Sequence, residues 1–333
     1  EDGSSLILRG TGYQFFRLDD REAKVFRAEH TFIVVCSNLE VARQRNLVIT
    51  VDCGSKNHAI ISELNQHKID SIITDHHETE DEMPDSIAVI NPKRKDAPTP
   101  ELANLAGVGV AFKFAEALVR DGLIPKNQEK WLLDLVLLGT ICDSITLTGE
   151  NRILGVYGLK VLEKTRRAGL KELIKNAHVR CLDADAIGFQ IGPRLNAAGR
   201  LETADLALNL LRSRSPARAA ALAQKLEELN KKRKNEQLSA MKEIEARGIS
   251  ADPVVIEVGE WHEGVLGIIA GRLVDSYKRP AFVLAEVENG ILKGSGRSFG
   301  DFNLAEALNF ARDSIVSGGG HAGAAGVRLS REN

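Results

Sequence analysis

The feature that most constrains the fold is an alternation, in the first half of the chain, of apolar strand-like runs with amphipathic segments. The runs are, in order, TFIVVCS, NLVITVDCG, SIITDHH and IAVINP. This alternation is typical of βαβ units and predicts an α/β fold with a mostly parallel sheet. In such sheets, functional side chains collect at the carboxyl ends of the strands.

Ionisable residues stand at those predicted strand ends. Asp52 follows LVITV, and Asp75, His76 and His77 follow SIIT. The segment EKWLLDLVLLGTICDSITL predicts a buried helix with Asp143 at or just beyond its end. Three carboxylates with one or two imidazoles favour Mn²⁺ or Mg²⁺ over zinc, and a cation would offset the repulsion among the carboxylates. On these residues alone a structural alternative stays open, in which the acids form turns or caps and the histidines are satisfied polar groups.

The second half is organised differently. Residues 213–247 contain Ser-Pro near their start, many strong helix formers and no internal glycine, and Gly248 follows. They predict a helix of roughly 45 Å, long enough to connect two domains. Its KKRK run at 231–234 is interpreted as a solvated face. The segments after it predict a smaller α/β domain: PVVIEV, VLGIIAGRLVDSY, PAFVLAEV, GILKGSGRS, NLAEALNFA and GAAGVRLS.

Charge separates the two halves. A chain of 333 residues is expected to form two or three domains. Residues 1–150 hold 16 Lys and Arg against 24 Asp and Glu, whereas residues 151–333 hold 28 against 22. An acidic half followed by a basic half suits a metal site that acts on a polyanion, although two unrelated surfaces would look the same. No apolar run has the length of a membrane span, so we expect a cytoplasmic protein without membrane contact.

The four cysteines, Cys36, Cys53, Cys142 and Cys181, are far apart and form no CxxC pair. This spacing argues against a zinc knuckle and a disulfide framework, and we expect reduced core residues. The first residue is Glu rather than Met, so we expect the natural start to lie upstream.

An ordered set of motifs runs through nearly the whole chain. They are VDCGS (51–55), TDHHE (74–78), INPKR (90–94), LAGVGVAFK (105–113), LGTICDSITLTGENR (138–152), IGPRLNAAGRLE (191–202), WHEGVLGIIAGRL (261–273), GSGRSFGDFNLAEAL (294–308) and GGGHAGAAG (318–326). The set resembles the DHH phosphoesterases, and within them the bacterial RecJ-type single-strand exonucleases. The resemblance implies a mostly parallel-sheet DHH catalytic domain over 1–185, a connecting segment with the long helix over 186–248 and a DHHA1 substrate-binding domain over 249–333.

The resemblance also implies a site for two Mn²⁺ or Mg²⁺ ions. Its metal ligands would be Asp2, Asp52, His76 and Asp143. EDGSS looks like the tail of the family's first motif, whose preceding aspartate would lie before Glu1. The stretch CDSITL departs from the family's usual valine and proline and keeps Asp143 in its place.

Further residues match the family pattern as catalytic and substrate-binding groups. Asp75 and His77 are expected to orient and tune their neighbours, and His77 is a candidate contact to the scissile phosphate. No site is assigned between Phe15 and Arg45. His262 is interpreted equally as a packing residue beside Trp261 and as a site residue. The candidate substrate-binding residues are Arg194, Asn196, Arg200, Arg297, Ser298, Gly319, Gly320 and His321.

The flexible backbone N–H groups of GGGHAGAAG, beside the imidazole of His321, predict a cradle for an anion. The alternative for this motif is a glycine-rich turn that packs helix against strand. The implied activity is a two-metal, 5′-to-3′ exonuclease on single-stranded DNA in repair and recombination. A single-strand-binding protein and a helicase are the expected protein partners. Two alternatives remain at this point. The first is a phosphodiesterase of the same superfamily that cleaves short RNA oligomers, cyclic dinucleotides or pyrophosphate. The second is a non-catalytic replication scaffold.

Overall fold

The computed structural model describes residues 33–34, 47–288 and 290–332, and the predicted ligand Asp2 lies outside these ranges. The described residues form two compact units. The first extends to Pro193 and includes Ala204–Gln224, and the second consists of Arg194–Thr203 and the chain from Lys225 onward.

The first unit is built on a parallel sheet. Its strands are β1 (Ile33–Val34), β2 (Leu47–Val51), β3 (Asp70–Thr74) and β4 (Ala88–Ile90), in that spatial order and all parallel. Helix α1 (His58–Gln66) connects β2 to β3 and buries Ile61 and Leu64 against Val48 and Ile73 of the sheet. Because the strands are parallel, the residues that follow β2 and β3 emerge at one edge of the sheet.

Helices complete the first unit. They are α2 (Gly107–Arg120), α3 (Leu133–Cys142), α4 (Gly149–Glu163), α5 (Ala168–Asn176), α6 (Ala184–Ala186), a π-helical turn (Ile187–Ile191), α7 (Gly192–Leu201), which continues into the second unit, and α8 (Asp205–Arg212), with short 3-10 turns at Pro100–Leu102 and Glu129–Leu132. Helix α3 is apolar on nearly all sides and buries Leu133, Val136 and Leu137, as a core helix does. It ends at Cys142, so the prediction of a buried helix that delivers Asp143 is confirmed.

The long helix and a mixed sheet make up most of the second unit. The elements are α9 (Pro216–Arg247), whose first nine residues belong to the first unit, β5 (Val255–Gly259), α10 (Leu266–Tyr277), β6 (Ala281–Glu288), β7 (Ile291–Arg297), α11 (Leu304–Phe310), β8 (Ser317–Gly320) and β9 (Ala324–Ser330), with 3-10 turns at Glu263–Val265 and Arg312–Ser314. The strand order is β5-β6-β7-β9-β8, with β5 and β6 parallel and the other pairs antiparallel. The predicted fold class is confirmed, including the 32-residue helix.

Two interpretations of the sequence were wrong. Cys53 and Cys181 are exposed rather than in the core, because each lies in a loop beyond a regular element. The KKRK run is solvated at its three lysines, but Arg233 is buried and donates to Asn230 on the same helix. No helix among the described residues has both the length and the apolar character that a membrane crossing requires.

Candidate active site

Asp52 lies at the first position after β2 in a left-handed backbone conformation, with a φ of 64°. Aspartate tolerates this conformation better than most residues, and such strain is found frequently at functional sites. Its amide donates to the carbonyl of Thr74 at 2.9 Å, which ties the end of β2 to the end of β3. Gly54 follows with a φ of 119°, and a Cβ there would lie 2.7 Å from Oγ1 of Thr50. The turn therefore requires glycine and aims Asp52 at the sheet edge.

His76 reaches the same point from β3. Its Nδ1–H donates to the carbonyl of Leu105 at 3.1 Å, which fixes the ring and points Nε2 at the carboxylates. Nε2 lies 3.1 Å from Oδ1 of Asp52 and 3.6 Å from Oδ2 of Asp143. A carbonyl or carboxylate on the far nitrogen is the usual arrangement behind a metal-binding histidine.

The electrostatics show an excess of negative charge around this histidine. Burial lowers the pKa of His76, but the hydrogen bond to Asp52 and the charges of Asp52 and Asp143 outweigh it and raise the pKa above its usual value. Burial raises the pKa of Asp143, and the charge of Asp52 raises it further. The carboxylates of Asp52 and Asp143 thus concentrate negative charge around Nε2 of His76, which is a favourable setting for a cation.

Asp75 lies beside His76 and His77 and is buried, with 2% of its surface exposed. Its Oδ1 accepts hydrogen bonds from the amide of His76 at 2.8 Å and from Nδ1 of His77 at 2.8 Å. Its Oδ2 accepts from the amide of Ser55 at 3.0 Å. Burial raises the pKa of Asp75, but these hydrogen bonds outweigh it and hold the pKa below its usual value. Asp75 is thus an ionised anchor that orients both histidines.

Because Nδ1–H of His77 donates to Oδ1 of Asp75, Nε2 of His77 is the ring nitrogen that Asp75 leaves available. Half of the His77 side chain is exposed. Ligand atoms of Asp52, His76 and His77 lie within 4.8 Å of one another. This set of carboxylate and imidazole donors fits a divalent cation such as Mn²⁺ or Mg²⁺, and Asp143 adds a further carboxylate beside His76.

Asp143 follows α3 directly, and its backbone setting is regular. Its amide closes the last turn of α3 on the carbonyl of Gly139, and Ser144 adopts the left-handed conformation that commonly ends helices. The Ile145 amide then donates to the carbonyl of Thr140 at 3.1 Å. The departure of CDSITL from the family pattern therefore leaves the Asp143 carboxylate beside His76.

Sequence reasoning missed two buried residues that position the site. Asn91, directly after β4, donates through Nδ2 to Oγ of Ser55 at 2.9 Å and to the carbonyl of His77 at 3.0 Å. Ser55 and Asn91 are 0% and 4% exposed. The motif INPKR was the available signal, but nothing in it specifies these partners.

Gly107 is a third residue whose role was missed. It is the first residue of α2, and a Cβ there would overlap the carboxylate of Asp52. The absence of a side chain lets Asp52 approach the start of α2, where the helix dipole favours negative charge. LAGVGVAFK was quoted as a motif, and only the packing identifies which of its glycines matters.

We expect Gly107→Ala to displace the Asp52 carboxylate while the fold survives, because the overlapping atoms belong to a side-chain end rather than to backbone. The affinity for Mn²⁺ should fall roughly ten- to a hundredfold, as it does when groups that position metal ligands are lost. Calorimetric titration with Mn²⁺ measures this. Gly155→Ala on α4, whose Cβ would meet ordinary contacts at 3.7 Å, is the matched control. Equal Mn²⁺ affinity in both variants would contradict the assignment.

The second unit contains a cluster of arginines, defined here as Arg200, Arg233, Arg272 and Arg297. Burial lowers the pKa of the Arg233 guanidinium, and the positive charges of Arg200 and Arg272 lower it further. Burial and the charge of Arg200 lower the pKa of the Arg297 guanidinium. Arg297 is held by Oγ of Ser295 at 3.1 Å and the carbonyl of Gly296 at 2.8 Å. Such a concentration of positive charge is suited to phosphate groups.

Two members of this arginine cluster were predicted from the sequence, and two were not. Arg200 donates to the carbonyl of Gly264 at 3.2 Å, and a Cβ on Gly264 would overlap the Arg200 backbone. Arg272 lies on α10 within the quoted motif WHEGVLGIIAGRL, and Arg233 lies within KKRK. Spacing alone could not place either beside Arg200.

The other predicted substrate residues are in less uniform settings. Asn196 and His321 are exposed. Gly319 and Gly320 lie on β8, paired with β9, so GGGHAGAAG forms a hairpin rather than an isolated loop. Ser298 donates through its amide to Gly323 and through its hydroxyl to Phe302.

Arg194 and His262 have structural partners. Arg194 is 9% exposed and donates to Glu227 at 2.5 Å, which is the environment of a packing ion pair. His262 accepts at Nδ1 from the amide of Gly264 at 3.1 Å and so caps the 3-10 turn before α10.

Comparisons with known proteins agree with this architecture. The DHH family N-terminal domain matches residues 8–140, and the DHHA1 domain matches residues 251–333. The single-stranded-DNA-specific exonuclease RecJ of Bacillus subtilis is 43% identical over 86% of this chain and 37% of its own length. The RecJ of Escherichia coli is 37% identical over 87% of this chain and 54% of its own length. The chain thus spans about half, or less, of the length of these curated relatives.

Solved structures give the same result. RecJ of Thermus thermophilus in complex with Mn²⁺ matches with a TM-score of 0.80 and 32% identity, over 90% of this chain and 45% of that one. A manganese-bound exonuclease RecJ matches with a TM-score of 0.76 and 32% identity, over 91% of this chain and 76% of that one. With both domains matched in order and the carboxylate–histidine group at the end of the parallel sheet, this chain belongs to the RecJ branch of the DHH family, whose DHH domain is followed by a DHHA1 domain.

Proposed function

We propose that this chain is the catalytic core of a metal-dependent exonuclease that hydrolyses single-stranded DNA from its 5′ end. The observation that carries the proposal is the convergence of Asp52, His76 and Asp143 on one point, with Nε2 of His76 within 3.6 Å of both carboxylates. The similarity to single-stranded-DNA-specific exonucleases indicates the substrate, and the family resemblance indicates the polarity of digestion.

The proposed ligands of two Mn²⁺ or Mg²⁺ ions are Asp52, His76 and Asp143, with Asp2, outside the described residues, as a fourth. When bound, the ions would supply charge neutralisation at the phosphate and activation of water. His76 would bind an ion through Nε2, because its Nδ1–H is donated to the carbonyl of Leu105. The related RecJ structures in complex with Mn²⁺ and with Mg²⁺ support this choice of ion.

His77 is proposed to contact the reacting phosphate. Its Nδ1–H is donated to Asp75, which leaves Nε2 as the ring atom that can face a phosphate or a leaving oxygen. The arginine cluster and His321 are proposed to bind the backbone phosphates of the strand, because guanidinium forks match phosphate geometry. Contacts of this kind do not read base edges, so base composition should matter little.

The proposal extends to organisation and partners. The division into a DHH domain (1–185), a connecting segment (186–248) and a DHHA1 domain (249–333) rests on the motifs and on the family matches. A cytoplasmic location and cooperation with a single-strand-binding protein and a helicase follow from the proposed role in DNA repair and recombination.

An end-labelling assay tests the activity. The chain is incubated with Mn²⁺ and single strands labelled at the 5′ or the 3′ end, beside a blunt duplex. We expect immediate release of the 5′ label as mononucleotide, late release of the 3′ label and an intact duplex. Binding should weaken steeply with added salt, since phosphate contacts release counterions.

Other outcomes of this assay would assign a different function. Internal cuts or digestion of the duplex would exclude the exonuclease. Activity confined to RNA oligomers, cyclic dinucleotides or pyrophosphate would favour the superfamily alternative. Strand binding without hydrolysis at any Mn²⁺ concentration would favour the scaffold.

A further inference from the structure

The first unit contains a cavity of about 290 Å³ that the metal centre does not use. It lies among the end of α2, the 3-10 turn Glu129–Leu132, the loop between α4 and α5 and the end of α8. Helix α2 begins beside Asp52, whereas the cavity contacts Ala115 and Val119 near the other end of the helix. At 1.5 Å per residue the two places are roughly 15 Å apart, so the cavity is a separate place on this unit.

Positive charge predominates in the lining. Arg166, Arg167, Arg212 and Arg214 face two carboxylates, those of Asp134 and Glu129, which leaves an excess of two positive charges. Burial, and the charge of the nearby Arg218, lower the pKa of the Arg212 guanidinium. A phosphomonoester, which carries a charge of about −1.5 to −2, would balance this excess.

One of the two carboxylates already has partners. Asp134 is 1% exposed and accepts from Oγ1 of Thr165 at 2.8 Å and from Nε of Arg167 at 3.2 Å. This ion pair holds Arg167 in the wall of the cavity by one edge of its guanidinium. The exposed Arg166 stacks on the ring of Trp131, 3.6 Å from its centroid, which fixes a second planar cation there.

The other carboxylate lacks a donor. Oε2 of Glu129 is enclosed and has no hydrogen-bond partner among the described residues. Glu129 also lines the cavity, so an N–H or O–H group of a ligand can satisfy its carboxylate there. A ligand that satisfies the whole cavity therefore carries a phosphate for the arginines and an N–H or O–H group for Glu129.

We propose that this cavity binds a free nucleoside 5′-monophosphate. The phosphate lies on Arg212 and Arg214, and a donor of the base or sugar lies on the carboxylate of Glu129 where it lines the cavity. The volume is at the lower limit of small-molecule sites, roughly 300 Å³, which suits one nucleotide rather than a strand. The proposal is independent of the hydrolysis proposed for the metal centre.

Calorimetric titration of the intact chain in EDTA tests the proposal, because metal removal prevents phosphate binding at Asp52 and His76. The probes are dGMP, inorganic phosphate and guanosine. We expect dGMP to bind, phosphate to bind more weakly and guanosine to bind at least tenfold more weakly. Arg212→Gln combined with Arg214→Gln should weaken dGMP binding at least tenfold.

Three further variants locate the ligand. Arg120→Gln removes an exposed arginine of α2 outside the lining and is the matched charge control, with unchanged binding expected. Asp52→Asn should also leave dGMP binding unchanged. Glu129→Gln should remove the advantage of dGMP over phosphate, because a neutral amide is a weaker acceptor. Melting temperatures verify folding, and the single Arg214→Gln variant, at an exposed position, replaces the double variant if the latter unfolds.

The proposal is overturned by absence of dGMP binding or by equal binding in the Arg212/Arg214 variant. Loss of binding in Asp52→Asn would assign the nucleotide to the metal centre instead. A 5′-phosphorylated oligonucleotide that binds more tightly than dGMP through the same arginines would make the cavity a contact for the strand.

Discussion

Asp52→Asn is expected to reduce hydrolysis of single-stranded DNA by about a thousandfold or more. The substitution keeps the shape of the side chain and removes the charge that faces Nε2 of His76. A loss of roughly 4 kcal/mol of electrostatic stabilisation, typical of a displaced catalytic cation, corresponds to that factor. Single-turnover rates with a 5′-labelled strand at saturating Mn²⁺ measure the effect.

Two controls make this result specific. Asp70, at the start of β3, is an exposed aspartate at the opposite end of that strand, so Asp70→Asn should retain full activity. Anomalous scattering at the Mn edge should show no ion beside residue 52 in the Asp52→Asn variant. Activity within tenfold of the unsubstituted chain, with Mn²⁺ still bound, would remove Asp52 from the ligand set.

Arg297→Ala is expected to weaken binding of single-stranded DNA by roughly ten- to a hundredfold, because hydrogen bonds to charged groups contribute about 1.5–3 kcal/mol each. Arg200→Ala and His321→Ala should act in the same direction. Each lost phosphate contact should lower the slope of log affinity against log salt by about one. Mn²⁺ affinity should not change, since these residues lie in the second unit.

Matched variants distinguish phosphate binding from packing. Arg331→Ala removes an exposed arginine of the same unit that pairs with Glu286, and it should leave DNA binding unchanged. Arg297→Lys keeps the charge but loses the planar fork, so intermediate binding is expected. Affinities by fluorescence anisotropy at several salt concentrations, with circular dichroism of each variant, provide the readout. Loss of folding in both Arg297 variants would identify Arg297 as a packing residue.

Much of the fold could be predicted because its signals are local. Short apolar runs specify β2 and β3, and an apolar surface on nearly all sides specifies α3. Helix α9 is specified by a long stretch of strong helix formers without an internal glycine. None of these signals depends on distant contacts. The sequence also indicated that three side chains would lie near one another, namely those of Asp52, His76 and Asp143. Each of them follows the end of a predicted strand or helix.

Other features of the candidate site depend on residues far apart in the chain. The hydrogen bond of Asn91 to Ser55 joins residues 36 positions apart, and that of His76 to Leu105 joins residues 29 apart. Neither partner has a residue type that indicates the contact. The burial of Arg233 was missed for the same reason, since a run of basic residues on a helix gives no sign of which one faces inward.

The sequence by itself determined the order of strands and helices, the acids and imidazoles at their ends and the charge difference between the two halves, because these follow from local periodicity and residue type. Tertiary structure decided which atoms meet. It placed Gly107 against Asp52, turned Nε2 of His76 toward two carboxylates and enclosed four arginines around one cavity. Such contacts depend on the packing of several elements at once, and the chain encodes them in side-chain volumes and backbone angles rather than in any short motif.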